Sequence, residues 1–505
     1  MTGQEWPLVR FIVPSFPEVN IFTRPARKTT ALGPVMVATS ASRLWGQRAE
    51  VIDENNYHRG PRENGLPDHK VLQQKNPAQV VGFYCGLTST MERVWDLTRF
   101  YRQKGVFTIA GGRHVHHCPE EALNHGIDLV VHGESEIIIR QILVALRQKR
   151  PLEAIPGISY LKEGEVVTNS PNFLEIPNLD RLPYPDFGLL RYAKVKIYPI
   201  GRIRGCGMNC EFCSVRENPR WASGCHLFNV VKWLAETRRA RHFFIVDDRL
   251  EGDLEGTFEF FDNVAREFGD SLRFSAQIRL EAAKNTEFLK TMKRAGVGAV
   301  FVGYESPIDE DLKAMRKGYS SAHMLEWTRI LRSYFWVHGM FMVGYPLKKG
   351  GSRLPAKETV RRFRKFIKRA HLDTIQVLHP VPIVGSDLRQ RLASEGRIFP
   401  LELVPWSRYD GSFACFRPDS MTLKEFQEAP MKIMSGFYNP WSIFRIPLRI
   451  FAFLIDYFLR GWRKWHRGWL RDVIRYGGHL LLRKWKRNQK NSGFLEGLTQ
   501  YQKAE

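Results

Sequence analysis

The sequence is poor in cysteine, in acidic residues and in long uncharged apolar runs. Seven Cys in 505 residues is an odd number, spread too thinly for the disulfide framework of a secreted protein. The 52 Asp and Glu are outnumbered by 76 Lys and Arg, which leaves a net charge of +24. The longest apolar stretch, 441–459, is interrupted by Arg445, Arg449 and Asp456 and is therefore not a membrane-spanning helix. No signal peptide is expected.

These shortages favour a globular protein of the reducing cytoplasm. Apolar residues make up 43% of the chain, which excludes a largely disordered protein. A chain of 505 residues is long enough for two or three domains. A large positive charge attracts nucleic acid, anionic lipid or anionic substrates, so its position along the chain decides between these partners.

Three of the seven cysteines stand close together, at Cys206, Cys210 and Cys213. The spacing Cys-x₃-Cys-x₂-Cys lets three thiolates converge on one metal centre, and thiolates select iron–sulfur clusters, zinc or Cu(I). Structural zinc and most iron–sulfur clusters take four protein ligands. A set of three leaves one metal position open for another molecule, unless a distant residue such as Cys225 or His226 completes a zinc site. The spacing therefore predicts a reactive cluster, with a structural zinc loop as the alternative.

The segment resembles the cluster motif of the radical S-adenosylmethionine (SAM) enzymes, with Phe212 at the aromatic position before the last cysteine. The resemblance implies a 4Fe-4S cluster held by Cys206, Cys210 and Cys213, whose unique iron binds SAM. It also implies reductive cleavage of SAM to a 5′-deoxyadenosyl radical, and an electron donor such as flavodoxin or ferredoxin.

Short apolar strands alternate with helical patterns along residues 1–171. Strands such as 8–13, 49–53 and 78–84 are separated by segments with helical spacing. This alternation indicates βαβ units, a parallel sheet and a Rossmann-like α/β domain. Ligands of such sheets bind beyond the carboxyl ends of the strands.

The domain resembles the cobalamin-binding module that precedes many radical SAM domains. The matching segments are Leu32-Gly33-Pro34, Val51-Ile52-Asp53, Gly111-Gly112-x-His114, Pro119-Glu120-Glu121-Ala122-Leu123 and Gly133-Glu134-x-Glu136. The resemblance implies that the chain binds cobalamin, and that Gly111, Gly112 and His114 lie in the cobalamin region.

The chain departs from this module after Asp53. Many cobalamin enzymes carry Asp-x-His-x-x-Gly, whose His ligates cobalt, but here Glu54 and Asn55 follow Asp53 and His58 is offset. A cobalamin site without a His ligand and a degenerate domain that only shapes the active site both fit this departure. A further cluster, His114, His116 and His117, is interpreted as solvated loop histidines in preference to a metal site.

A proline-rich linker, residues 172–194, leads to a second series of βα units in residues 195–400. About six units are expected, and they resemble the partial (β/α)6 barrel of radical SAM enzymes. Polar residues at strand carboxyl ends face the site in α/β barrels. Acids and amides stand at four such ends: Asp247/Asp248, Gln277, Glu305 and Gln376.

The resemblance assigns SAM-binding roles to residues at these strand ends. Asp247 and Asp248 occupy the place where the family contacts the SAM amino group. Gln277, Arg279 and Glu305 would lie near its carboxylate and ribose. These pairings are chemically sound, because carboxylates bind an ammonium, Arg binds a carboxylate and Glu accepts from ribose hydroxyls.

Residues 401–505 form a basic extension that is expected to be helical. Residues 431–505 contain fifteen Lys and Arg against four Asp and Glu. Within 441–490, Trp and Phe are interleaved with Arg and Lys, a pattern typical of helices that lie in a membrane interface. Packing on the barrel with a solvated basic face fits the pattern equally well, and stacking on RNA is a third option.

Together these features predict a cobalamin-linked radical SAM enzyme that performs methylation or C–C bond chemistry on a small-molecule, lipid or other apolar substrate. Cobalamin-dependent radical SAM methyltransferases and the anaerobic Mg-protoporphyrin ester cyclase group share this layout. The alternatives are an RNA-modifying radical SAM enzyme and a non-catalytic iron–sulfur or zinc protein. Nucleic acid is the less favoured partner, because no RNA-binding fold is evident after the barrel. The expected location is the cytoplasm, with peripheral contact at the inner membrane face through 441–490.

Overall fold

A computed structural model describes residues 7–17, 26–169, 176, 178–348, 354–453, 458 and 461–504 of the chain. Within these residues the strands are β1 (Leu8–Val13), β2 (Ala49–Asp53), β3 (Arg62–Glu63), β4 (Leu66–Pro67), β5 (Ala78–Tyr84), β6 (Phe107–Gly111), β7 (Leu129–Val131), β8 (Ile158–Lys162), β9 (Glu165–Asn169), β10 (Tyr198–Ile200), β11 (Ile203–Arg204), β12 (Arg220–Trp221), β13 (His242–Ile245), β14 (Arg273–Ile278), β15 (Val297–Glu305), β16 (Trp336–Met342) and β17 (Thr374–Leu378). The α-helices are α1 (Leu32–Ser42), α2 (His69–Lys75), α3 (Met91–Arg102), α4 (Arg113–His117), α5 (Pro119–Asn124), α6 (Ser135–Gln148), α7 (Gly224–Arg238), α8 (Leu254–Phe268), α9 (Thr286–Arg294), α10 (Asp309–Ala314), α11 (Met324–Tyr334), α12 (Ala356–Ala370), α13 (Asp387–Ser394), α14 (Leu423–Phe437), α15 (Ser442–Phe451), α16 (Trp462–Asn491) and α17 (Phe494–Ala504).

The first sheet has the strand order β2-β1-β5-β6-β7-β8-β9. Its first five strands pair in parallel, with Phe11 of β1 opposite Val51 on one side and Gly82 on the other. The Rossmann-like α/β prediction for this part of the chain is therefore confirmed. β8 and β9 are antiparallel and extend one edge as a hairpin. This hairpin was not predicted from the sequence, because the residues of β9 are only half-buried or exposed and form no long apolar run.

The second sheet has six parallel strands in the order β10-β13-β14-β15-β16-β17. Along β14, β16 and β17, buried residues alternate with more open ones, as in β16 from Trp336 to Met342. The buried face includes Phe243, Phe274 and Val337 and packs against the surrounding helices in one large core. The more open face lines the inside of the barrel. Strands β10 and β17 are the two edge strands of the sheet. The predicted partial (β/α)6 barrel is confirmed.

Two further contacts close the fold around the barrel. Tyr438, just after α14, accepts from the Ile375 amide at 2.9 Å and donates its hydroxyl to the Ile375 carbonyl at 2.7 Å. The segment after the barrel packs back on the first domain, because Tyr101 and Val115 share one buried cluster with Phe399. None of the helices in the described ranges is both long and apolar enough to cross a bilayer.

Candidate active site

The three cluster cysteines lie in one loop between β11 and β12, beyond the carboxyl end of β10. The loop begins at Gly205, which has φ +86° and whose added Cβ would lie 2.6 Å from the Asn218 carbonyl oxygen. The Gly205 amide donates to Asp248 Oδ2 at 2.8 Å, and the Gly207 amide donates to the Glu217 carbonyl at 2.9 Å. Glycine is therefore needed at Gly205 both for its backbone conformation and for close packing.

The three thiols are near enough to influence one another's ionisation. Cys210 is buried, and Cys206 and Cys213 are half-buried. Burial raises the pKa of the Cys206 and Cys213 thiols, and the charge of the neighbouring cysteines raises each pKa further. Coordination to a metal would lower these pKa values, because a coordinated thiol gives up its proton. The three thiols are therefore suited to act together as metal ligands.

The zinc alternative for the cysteine triplet needs a fourth ligand close to the loop. In the described part of the chain, the three residues whose possible ligand atoms lie within 4.8 Å of one another are His114, Cys118 and Glu121. Cys225, the proposed fourth zinc ligand, is exposed on α7 and accepts from the Asn229 amide at 3.6 Å.

Two residues inside the motif fix the loop to the rest of the barrel. Glu211 is buried; its carboxylate pairs with Arg391 at 2.9 Å and accepts from the Tyr345 hydroxyl at 2.7 Å. The ring of Phe212 lies edge-on to Tyr345, with ring centres 6.4 Å apart, and the Lys317 ammonium lies 5.6 Å from its centre. The loop is thus held from several sides before any cluster binds.

Asp247 and Asp248, predicted to contact the SAM amino group, support the cysteine loop in this structure. Asp247 Oδ1 accepts from the amides of Arg202 and Ile203 at 2.6 and 2.9 Å. Its Oδ2 is buried and has no hydrogen-bond partner in the described part of the chain. Burial raises the pKa of the Asp247 carboxyl to about 6. One oxygen therefore remains available to a ligand, and the SAM contact stays a prediction.

The other predicted SAM residues lie on the same rim of the barrel. Glu305 ends β15 with φ +60° and pairs with Lys317 at 2.9 Å, with both side chains largely buried. Arg279 pairs with Glu281 at 2.5 Å, and its charge acts on the Cys206 thiol. Gln277 is exposed on the open face of β14. The structure brings these side chains to the mouth of the barrel beside the cysteines, and their contacts with SAM stay predictions.

Lys317 and Glu251 also lie at this rim and were not predicted from the sequence. Burial lowers the pKa of the Lys317 ammonium, but the Glu305 carboxylate outweighs burial and leaves the pKa above its ordinary value. Glu251 Oε1 accepts from the Arg279 amide at 3.0 Å, and its buried Oε2 has no partner among the described residues. Glu251 could have been found, since it follows the same strand end as Asp247. Lys317 carries no such signal, because it lies on a turn after α10.

A cavity of about 510 Å³ separates the first sheet from the barrel. Gly111 and Gly112 line it from the end of β6, and Asp247 and Asp248 line it from the end of β13. Gly112 has φ +131°, and an added Cβ would lie 2.6 Å from the Cys85 carbonyl carbon. Only glycine fits this turn without strain. The cavity lies beyond the carboxyl ends of parallel strands, where such sheets bind ligands.

The loop after β2, where a cobalt-ligating His would stand in many cobalamin enzymes, is occupied by a structural network. The Glu54 carboxylate pairs with Arg93 at 2.6 Å and with His69 at 3.0 Å. Asp53 Oδ1 accepts from the Asn55 amide at 2.9 Å. Glu54 and Asn55 are therefore used to hold the loop, and His58 donates its backbone amide to the Tyr192 carbonyl.

The histidine cluster after the glycine turn differs from the expected solvated loop. His114 is 1% exposed and lies in helix α4, where Nδ1 is 3.3 Å from Thr88 Oγ1 and Nε2 is 3.2 Å from Glu121 Oε2. Trp406 covers it edge-on, with ring centres 5.0 Å apart. The expectation was wrong for His114, because Glu121 lies on the next helix and gives the buried imidazole a half-buried partner. His114 lies outside the wall of the cavity that Gly111 and Gly112 line.

Two curated relatives share much of the chain, and no family model matches it. The chain is 25% identical over 409 residues to an uncharacterised methyltransferase of Pyrococcus horikoshii, covering 78% of this chain and 85% of that protein. It is 24% identical over 326 residues to the hopanoid C-2 methylase of Rhodopseudomonas palustris, covering 63% of this chain and 58% of that protein.

Two solved structures share the fold. The cobalamin-dependent SAM radical enzyme OxsB, with aqua-cobalamin and SAM bound, matches with a TM-score of 0.63 at 15% identity, covering 98% of this chain and 81% of OxsB. The radical SAM methyltransferase TsrM of Kitasatospora setae, with cobalamin and a 4Fe-4S cluster bound, matches with a TM-score of 0.62 at 16% identity, covering 81% of this chain and 82% of TsrM.

The chain shares its fold with these radical SAM enzymes, and the two relatives are named as a methyltransferase and a methylase. OxsB and TsrM both have cobalamin bound, so the resemblance to the cobalamin-binding radical SAM group that the sequence predicted is confirmed. The ligands in the OxsB and TsrM structures are the three cofactors that the sequence predicted: cobalamin, a 4Fe-4S cluster and SAM.

Proposed function

We propose that this enzyme methylates an apolar substrate with the help of a 4Fe-4S cluster, SAM and cobalamin. The observation that carries the proposal is the cavity between the two sheets. Its wall includes Gly112 on one side and Asp248 and Arg204 on the other, and Arg204 directly precedes the cysteine loop. A cofactor in this cavity lies against the first sheet and next to the cluster loop at the same time.

The residues around the loop fit these cofactors in type and in position. Cys206, Cys210 and Cys213 would hold the cluster and leave one iron for SAM. Arg279 and the unpartnered oxygen of Asp247 would receive the carboxylate and ammonium of SAM, since each supplies the opposite charge. When bound, the cluster and SAM supply a carbon-centred radical, and cobalamin supplies a methyl group.

The protein's own part in this chemistry is to bind, orient and exclude water. The Glu305 carboxylate, which pairs with Lys317 at 2.9 Å, would accept hydrogen bonds from the ribose hydroxyls. It is largely buried, so little water competes for it. Asp248 keeps the cysteine loop in place through the Gly205 amide. These contacts exist before cofactors bind, which limits the reorganisation needed during the reaction.

The inner face of the barrel supports an apolar substrate. Its half-exposed side chains include Phe244, Phe301, Met340, Met342 and Leu378, with the rings of Phe244 and Phe301 centred 5.6 Å apart. His338 lies among them, bonded to Thr374 Oγ1 at 2.8 Å, and burial lowers its pKa to about 4. The imidazole is therefore neutral at pH 7. This part of the face is apolar and uncharged, although Gln277 and Gln376 also lie on it, and it suits a hydrocarbon better than a charged metabolite or RNA.

Two partners complete the proposal. A small redox protein such as flavodoxin or ferredoxin would deliver the electron to the cluster, whose loop is half-exposed at Cys206 and Cys213. The basic segment 441–490 would bring the enzyme to a membrane surface, where apolar substrates are concentrated.

The proposed function is tested with the enzyme purified anaerobically, with its cluster reconstituted and cobalamin added. It is incubated with a reductant, a lipid extract and SAM that carries a deuterated methyl group. We expect 5′-deoxyadenosine in the aqueous phase and the labelled methyl group in the lipid fraction, both read by mass spectrometry. The Cys210→Ala variant is the control and should give neither product.

Two results would overturn parts of this proposal separately. If 5′-deoxyadenosine forms while no label enters the lipid fraction and a polar extract accepts it instead, the apolar substrate class is wrong. If SAM stays intact in an enzyme that contains its full complement of iron, the radical SAM mechanism itself is wrong.

A further inference from the structure

Helix α15 presents a continuous apolar face to solvent. Phe444, Leu448 and Phe451 are 62, 65 and 87% exposed, and Trp441, just before the helix, is 68% exposed. Their spacing of three or four residues places them on one side of the helix. A single exposed apolar residue needs no explanation, but a helical face of this size on a soluble surface indicates an interaction site.

The opposite side of α15 is firmly attached to α16. Ser442 is fully buried, and the Arg449 guanidinium pairs with the buried Asp472 at 2.5 Å. The indole of Trp465 donates to the Arg449 carbonyl at 2.8 Å. The attachment uses the polar side of α15, so the apolar side is held outward.

Helix α16, which is rich in Trp and Arg, packs on the barrel. Arg467 pairs with Asp373, with Nε 3.0 Å from Oδ1, and donates to the Phe335 carbonyl at 2.8 Å. Trp485 is 4% exposed. The two interpretations left open for 441–490 therefore separate by helix: α16 packs on the barrel, while the face of α15 lacks a covering element among the described residues.

Arginines lie around the foot of this face. Arg445 is exposed, and Arg445 and Arg471 lie close enough to Arg475 for their charges to act on it. Asp472 acts on Arg471 and Arg475, and Asp373 also acts on Arg471. The Arg475 guanidinium lies 4.4 Å from the centre of the Phe437 ring. The exposed Arg445 is therefore a cation that anionic oxygen atoms from outside the chain can reach.

From the apolar face and the arginines at its foot together, we propose that α15 docks on the surface of an anionic phospholipid bilayer. Trp441, Phe444, Leu448 and Phe451 would enter the acyl boundary, and Arg445 with its neighbours would contact lipid phosphates. Aliphatic Leu448 and Ile450 favour acyl chains over nucleic-acid bases, which stack on aromatic rings and arginine planes. The proposal rests on the membrane contact in the proposed function and assigns it to one helix and one class of lipid, at a surface remote from the cofactors.

The docking surface lies at the end of the barrel opposite the cysteine loop. Arg467, near the start of α16, bonds at Phe335 and Asp373, which precede strands β16 and β17. Helix α16 has 30 residues and therefore spans about 45 Å. Its far end reaches the opposite end of the barrel, where the Gln489 side-chain amide donates to the Ser412 carbonyl at 2.7 Å. Docking through α15 therefore leaves the cluster loop open to its electron donor.

Co-flotation of the full-length chain with phospholipid vesicles tests the proposal without any turnover. We expect binding to vesicles of phosphatidylcholine with phosphatidylglycerol, weak binding to pure phosphatidylcholine, and a decrease with added salt. The variant F444D/L448D/F451D should lose at least about 10-fold in partitioning. All three positions are exposed, so the variant should keep its fold and its iron content.

The matched control adds the same three acids elsewhere, as W45D/L161D/L401D, at positions that are also exposed. This control should bind vesicles as the unaltered chain does.

Equal binding by the α15 variant, or no binding of the unaltered chain to anionic vesicles, would overturn the proposal. So would a dimer that the α15 substitutions convert to a monomer while vesicle binding is absent, because the face would then pair with a second copy. Binding of RNA with the same dependence on α15, without vesicle binding, would overturn it as well.

Discussion

The cysteine loop and the cavity beside it are neighbours that are built in different ways. The loop places its three ligands within eight consecutive residues, Cys206 to Cys213, and its supports reach it from outside. The cavity has no such segment, because its wall comes from α1, the ends of β5, β6 and β7, the 179–185 connection and the ends of β10 and β13. Cofactor binding to a site within one loop depends on the ligand side chains of that loop. Cofactor binding to a site between two domains depends on how closely the two backbones approach each other.

This difference predicts that the two sites fail independently. Removal of a cysteine should abolish binding of the cluster and leave cobalamin binding in the cavity unchanged. A change in the glycine turn should weaken cobalamin binding and leave the cluster in place. The following variants test that independence, starting with the largest effect.

Replacement of any one of Cys206, Cys210 and Cys213 by Ala should lower SAM cleavage by more than about 100-fold, because two thiolates no longer hold the cluster. The measurement is 5′-deoxyadenosine formed under reducing, anaerobic conditions. Cys225→Ala is the matched control, since Cys225 is exposed and lies outside the loop. Unchanged cleavage in the triplet variants would refute the cluster assignment.

Gly112→Ala should weaken cobalamin binding by about 10-fold or more, while the iron content stays normal. The φ of +131° disfavours Ala, and the new Cβ would collide with the Cys85 carbonyl carbon at 2.6 Å. Titration of the protein with cobalamin, followed by visible absorption, reads the effect. Gly105→Ala is the control, because it also has a positive φ, of +69°, but has open space around it. If both variants bind cobalamin alike, the turn does not shape the cofactor site.

Glu305→Gln should weaken SAM binding by about 10-fold, the value of one charge-assisted hydrogen bond. The substitution also leaves Lys317 without its carboxylate partner, now 2.9 Å away. Anaerobic calorimetry with SAM measures the affinity, and Glu310→Gln, an exposed acid nearby, serves for comparison. An unchanged SAM affinity would remove Glu305 from the site.

Glu54→Gln should affect stability and leave the chemistry largely intact. Burial raises the pKa of Glu54, but His69 and Arg93 outweigh it and bring the pKa down to about 2. The stability from this carboxylate is therefore complete above its ordinary pKa, which is 4.5, and is lost as the pH falls towards 2. Breaking the buried pair at neutral pH should cost about 3 kcal/mol. Urea unfolding at several pH values measures this, and a parallel pH dependence in both proteins would contradict the assignment.

The sequence allowed the fold and the cysteine site to be predicted, and the physical reasons are specific. Strands β1, β2 and β5 were predicted to the residue, because each is a short apolar run between clear breaks. The β8–β9 hairpin was missed, because it is covered on one side only and carries a weak apolar pattern. Lys317 was missed for a different reason: its role arises from a contact with Glu305 that no local pattern encodes.

The C-terminal segment shows the same limit. Its Trp and Arg content fitted membrane docking and barrel packing equally well, because composition does not say which face of a helix is covered. In the structure, Trp485 of α16 is buried and Phe451 of α15 is exposed, although both helices combine aromatic residues with arginine. The choice depends on tertiary contacts such as the Arg467–Asp373 pair.

The most direct test of the account is to count iron and cobalt on the same chain. Protein purified anaerobically with cobalamin and then reconstituted should hold about four iron atoms and about one cobalt per chain. In the Cys210→Ala variant the iron should be lost while the cobalt is retained. Zinc in place of iron, or a chain with its full iron content and no cobalt, would contradict the account.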